Sequence, residues 1–122
     1  MAGSASVGTM AQDGTINNCV YKYSSSAATW TNCIVEGVDM YVSMAYRLNA
    51  TQVRGYSKKI TNVYDERALA KLGSFSHVSF GLLSQTAASY RITYTAWGGL
   101  FSASRNLSTT LNSSGVFRVQ LY

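Results

Sequence analysis

From residue 16 onward, apolar and polar residues alternate with a period of two, and this constrains the chain more than any other feature. The clearest run is Val38 to Leu48, where Met40, Val42, Met44, Tyr46 and Leu48 alternate with Asp39, Tyr41, Ser43, Ala45 and Arg47. Successive side chains of an extended chain point to opposite faces, so the first set is expected on a core and the second in water. Val78, Phe80 and Leu82 repeat the pattern, as do Tyr90, Ile92, Tyr94 and Ala96. Leu107, Thr109 and Leu111 follow, and Phe117, Val119 and Leu121 form the last run. Small polar groups punctuate these runs: Ser24-Ser25-Ser26, Asn49-Ala50-Thr51, Gly98-Gly99 and Asn112-Ser113-Ser114-Gly115. Val53 to Ile60 reads as a more polar, basic strand, with Gly55 expected at a bulge.

One segment departs from the alternation. Asn62 to Gly73 opens with Asp65 and Glu66 and closes with Lys71 and Gly73. Acids at the start and a base before a glycine stop complement a helix dipole, so a short crossover helix is predicted near residues 64–72. The chain as a whole is therefore expected to be all-β: an antiparallel β-sandwich of about seven to nine strands, immunoglobulin-like or jelly-roll-like, with that one helix. Residues 1–15 are rich in Gly, Ser and Ala and read as a flexible arm, leaving residues 16–122 as a single sandwich domain.

Composition narrows the function classes. Apolar residues make up 47% of 122, enough to bury a core and to argue against disorder. Charged residues are only 12%, and proline is absent. No apolar run approaches the ~18 residues of a membrane-spanning helix. One His and two Cys exclude a zinc ribbon or a Cys/His cage built by this chain alone, and no metal or other cofactor is expected.

Cys19 and Cys33 fall on two alternating segments either side of the serine-rich connector. Folding back there brings them to similar heights on neighbouring strands, and an even count without a His partner favours a disulfide. The alternative is two buried free thiols in a reducing compartment. A bridge implies an oxidising compartment, hence an extracellular, secreted protein. Residues 1–8 carry no basic start and no apolar run of a secretory signal, so the numbering is read as starting after its removal.

No catalytic arrangement is specified. A Ser-His-acid triad would need the single His77, which opens a strand, and no nucleophile elbow occurs. Glu36 and Asp39 are the nearest thing to a carboxylate pair, specified by proximity alone. The glycines never take phosphate-loop or dinucleotide spacings. A non-enzymatic role is expected.

Nine tyrosines and two tryptophans exceed what a core of this size needs, and Tyr suits contact surfaces. Tyr41 and Trp97 fall on the polar phase of their strands and are the candidate contact aromatics. The arm, with Val7 and Met10, is expected to add as a strand to an exposed edge of a neighbouring subunit. Arg54, Lys58 and Lys59 are the one cluster within a net charge of +5. Three expectations follow. The first is a non-catalytic secreted subunit of an extracellular multi-protein complex, such as an adhesin, toxin or secreted particle. The second is a carbohydrate-binding, lectin-like module stacking sugars on Trp97, Tyr41 and Trp30. The third is a virion or nucleic-acid-associated protein resting on the basic cluster. Other protein subunits are thus the expected partners, then glycans, with nucleic acid behind them and no membrane span.

Overall fold

A computed structural model describes residues 12–122. Its elements are β1 (Gln12–Asp13), β2 (Thr15–Asn17), β3 (Val20–Tyr23), β4 (Ala27–Val38), β5 (Val42–Val53), β6 (Lys59–Ala70), β7 (Gly73–Ser84), β8 (Ala87–Ala96), β9 (Phe101–Leu111) and β10 (Phe117–Leu121). A single 3₁₀ turn at Trp97–Gly99 joins β8 to β9. All pairing is antiparallel. One sheet runs β1-β10-β9-β8-β7, and the other runs β2-β4-β5-β6, with β3 beside β2 on the same edge of β4. The two sheets pack face to face as the alternation requires, and the sandwich is all-β.

The core follows the period of two. On β5, Val42, Met44, Tyr46, Leu48 and Ala50 are buried, and on β8 Ala88, Tyr90, Ile92, Tyr94 and Ala96 face them. Cys33 and Val35 of β4, Ile60 of β6, and Leu107, Leu111, Val119 and Leu121 of β9 and β10 complete the interior. The one buried polar residue among those described, Thr109, is met by Tyr46: the two hydroxyls lie 2.6 Å apart and join the sheets. Cys19 and Cys33 are bridged, fastening the start of β3 to β4. The Asn112–Gly115 turn closes as expected, with the Asn112 side chain accepting from the amides of Ser114 and Val116.

Four expectations need correction. Residues 64–72 form no helix; they belong to β6 and its exit turn. Register shifts opposite Ala45–Arg47 and Asn49–Ala50 insert extra residues into β6, and Asp65 sits at φ 57°. These bulges break the period of two and leave a charge order that resembles a helix. Asn49–Thr51 is strand, and the chain turns instead through residues 54–58, with Gly55 at φ 86°. Met40 is 72% exposed, because the chain leaves β4 before reaching it. Finally, among the described residues Gln12, Asp13 and Thr15, assigned above to the arm, pair as strands in the sheets. Val7 and Met10 lie outside the described residues.

The N-terminal strands close one side of the sandwich. β1 pairs with β10 of one sheet and β2 with β4 of the other, and Gly14 makes the crossing, donating its amide to Val119 O at 2.9 Å. A side chain at Gly14 would start 2.4 Å from the Glu36 carbonyl oxygen, so glycine is the residue this crossing needs.

Candidate functional site

The opposite side has no such closure among the described residues. β6 and β7 are the terminal strands of their sheets and run side by side without a ladder between them. They are tied at one end by the Lys71-Leu72 turn and at the other by the Ile60 amide donating to Gln85 O at 2.7 Å. The result is an open seam whose rim is the free edge of β7.

Of the usual protections, that edge carries only two β-bulges, where the register with β8 shifts between His77 and Ser79 and between Leu82 and Ser84. Soluble proteins guard exposed edges with Lys, Pro, inward charges or very short strands. β7 is 12 residues long, reads GSFSHVSFGLLS, and holds neither proline nor any Lys, Arg, Asp or Glu. Its register with β8 places Phe75, His77, Phe80 and Leu82 on the inner face, opposite Tyr94, Ile92, Tyr90 and Ala88. Phe80 packs in T-shaped contact with Tyr46 and Tyr90, both at 5.4 Å. Phe75 and Leu82 nevertheless stay 40% and 41% exposed. Val78, expected with them in the core, is 50% exposed, because a register shift between His77 and Ser79 moves it off the inner phase.

The aromatic candidates lie at one end of the sandwich. Tyr41 is half-buried, stacked on Tyr94 at 5.6 Å and Phe101 at 5.8 Å, with Trp97 edge-on at 6.1 Å. Trp97 keeps half its surface in water. Beneath them Asp39 accepts from the amides of Tyr41 and Val42 at 2.7 and 2.8 Å and from Arg105 Nε at 2.8 Å. Burial pushes this carboxyl up. The Arg105 bond, the two amides and the Arg105 charge outweigh that and hold it below its ordinary value. Asp39 therefore organises a turn, and its oxygens are committed to those donors. His77 is exposed, its ring 5.7 Å from that of Tyr90.

The structure does not bring the basic candidates together as one patch. Arg54 is exposed in the β5–β6 turn, and Lys59 begins β6. Lys58 turns inward: its ammonium lies 3.8 Å over the Trp30 ring and 4.2 Å over Phe117, and donates to Gly115 O at 3.1 Å. Burial lowers the Lys58 pKa below its ordinary value. One face of Trp30 is covered by this contact, and Tyr21 packs against it at 5.2 Å, so Trp30 has lost the free face a sugar would stack on.

Sequence reasoning missed Tyr21 and Tyr23. Both occupy the inner phase of β3, opposite Trp30 and Ala28, yet are 53% and 77% exposed. Their rings stack at 5.7 Å beside Gln52 and Arg54, lining an open hollow. No residue pattern announces this, since the phase names the face of a sheet and not how far the opposite sheet reaches.

Among the described residues no cluster of three or more His, Cys, Asp or Glu is placed to hold a metal ion. No helix among them is long and apolar enough to cross a membrane. Fold and edge together define a disulfide-bridged all-β sandwich with one closed and one open side. Comparison with protein-family models, with curated proteins and with solved structures finds no match to this chain.

Proposed function

We propose that the protein is a non-catalytic subunit of an extracellular multi-protein complex, an adhesin, toxin or secreted particle, and that it is held there by strand addition on β7. The observation that carries this reading is the long edge without charge or proline: a 12-residue strand, bulged at two points, with apolar side chains half in water. An incoming strand satisfies its free amides and carbonyls and covers Phe75 and Leu82. The Cys19–Cys33 bridge supports an oxidising setting. Residues 1–11, which carry no charged side chain, are the donor this reading assigns to a neighbouring copy.

The test is amide hydrogen exchange on the complex recovered from the native source under non-reducing conditions. Protection of residues 75–83 relative to the isolated protein, lost in a Val78→Lys/Leu83→Lys variant, is the expected result. Partners bound while β7 exchanges as in the free chain would refute strand addition at this edge.

A second reading rests on a separate observation. The hollow beside Tyr21 and Tyr23, about 510 Å³ and lined also by Ser24, Ser25, Gln52 and Arg54, offers stacking faces with hydrogen-bonding groups around them. That favours a carbohydrate there, in place of Trp97, Tyr41 and Trp30. Loss of oligosaccharide binding in Tyr21→Ala/Tyr23→Ala would establish it.

A further inference from the structure

The two ends of the sandwich differ in chemistry. At one end the chain turns through Ser24-Ser25-Ser26, residues 54–58, Gln85-Thr86 and Asn112–Val116, which are mostly polar. At the other it turns at Met40, at Leu72 and at Trp97–Leu100, and all three apices are apolar. Hydrogen bonds draw these three turns together: the Lys71 amide donates to Tyr41 O at 2.8 Å, and the Trp97 amide to Leu72 O at 3.3 Å. Leu100 is 89% exposed and Met40 72%, while Leu72 and Trp97 are each about half exposed.

We propose that this end docks on the surface of an anionic lipid bilayer, inserting the three turn apices to interfacial depth. The end combines exposed aliphatic tips with an aromatic cluster, the two kinds of side chain such an interface takes up. Leu100 and Met40 are the most exposed, Trp97 and Leu72 about half exposed, and Tyr41 and Phe101 less so, with the three aromatic rings mutually packed at 5.7 to 6.1 Å. Aromatic rings of this kind prefer the headgroup level. Lys71 stands exposed beside Leu72, its ammonium donating to Asp39 O at 2.6 Å. Asp39, the acid of this end, is neutralised by Arg105. The three turns thus offer a cation in Lys71, and their one acid, Asp39, is already paired, within a chain of net charge +5. Three separate projecting tips also suit a deformable lipid surface better than the flat, close-packed core of a protein interface. The contact leaves β7 free and is independent of strand addition.

Co-sedimentation with phosphatidylcholine vesicles, with and without phosphatidylglycerol, tests this. The full chain is expected to bind the anionic vesicles more tightly. Met40→Ser/Leu100→Ser, which changes only exposed side chains, should weaken binding by roughly tenfold or more. Brominated lipid should quench Trp97 and spare Trp30 at the far end, so the quenching should vanish in Trp97→Phe. Absence of vesicle binding, binding that survives the double serine variant, or quenching of Trp30 would each overturn the proposal. So would sedimentation velocity showing a dimer that Leu100→Ser dissolves, since the end would then serve a second copy.

Discussion

Two buried tyrosines at comparable positions carry opposite consequences for their hydroxyls. Tyr46 OH meets Thr109 Oγ1 across the two sheets, and both residues have no accessible surface. Burial raises the Tyr46 pKa far above its ordinary value, outweighing the Thr109 bond, so the phenol stays protonated. Tyr94 OH is also buried but has no hydrogen-bond partner among the described residues. Tyr46→Phe orphans the threonine and is expected to cost about 1–3 kcal/mol. Tyr94→Phe removes only an unsatisfied group, so its stability should match or exceed that of the parent. Urea midpoints at constant m-value check both, and equal losses would mean that the Tyr94 hydroxyl is bonded after all. Which tyrosines enter the core was legible from strand phase for Tyr46, Tyr90 and Tyr94. It was illegible for Tyr21 and Tyr23, where the inner phase runs past the cover of the second sheet.

Elements were legible where the alternation ran uninterrupted, as along β8 and the first part of β5, from Val42 to Leu48. They were misread where bulges intervened: β6 passed for a helix because extra residues around Thr61 and Asp65 scrambled its period. β7 was read as a core strand because Val78, Phe80 and Leu82 alternate, yet sequence gives no sign that a strand will be last in its sheet. The β1–β2 crossing was equally hidden, since its requirement falls on a single glycine. Gly14→Val drives a side chain into the Glu36 carbonyl and, at 2.6 Å, into Val119 Cγ1. A loss of about 1–3 kcal/mol is expected, with faster amide exchange along β10. Gly81→Ala on β7 is the control: a methyl there meets no atom within 4 Å, and melting should hardly move.

For the whole molecule, acid response is the measurable consequence of how the sheets are joined. Asp39, in the turn after β4, is tied to Arg105 of β9, and both side chains are largely shielded, at 6% and 18% exposure. A carboxyl whose folded pKa lies below its unfolded one adds stability that is complete above the unfolded value. That stability fades as pH falls through the folded one. The Asp39 share should therefore hold at neutral pH and drain away below about pH 4. Asp39→Asn should lose about 2–3 kcal/mol at neutral pH and show a flatter acid limb in urea titrations. Parallel limbs for the two proteins would assign the acid response to other groups. At this scale the all-β sandwich was legible in the sequence, whereas the open seam and the apolar end were not. Both depend on which turns and edges become neighbours, and local periodicity carries no record of that.

The strand that seals the closed side has a consequence for the order in which the protein is made. Gln12 pairs with Leu121 and Asp13 with Gln120, joining nearly the first described residues to nearly the last. During synthesis, β1 emerges long before its partner exists. Until the ribosome has delivered β10, the nascent sandwich has two unsealed sides rather than one. Sealing thus waits on a late, long-range loop closure, which is slow for entropic reasons. Over that interval β10's absence leaves β9 as an additional bare edge, so the growing chain is most exposed to wrong pairing just before β10 emerges.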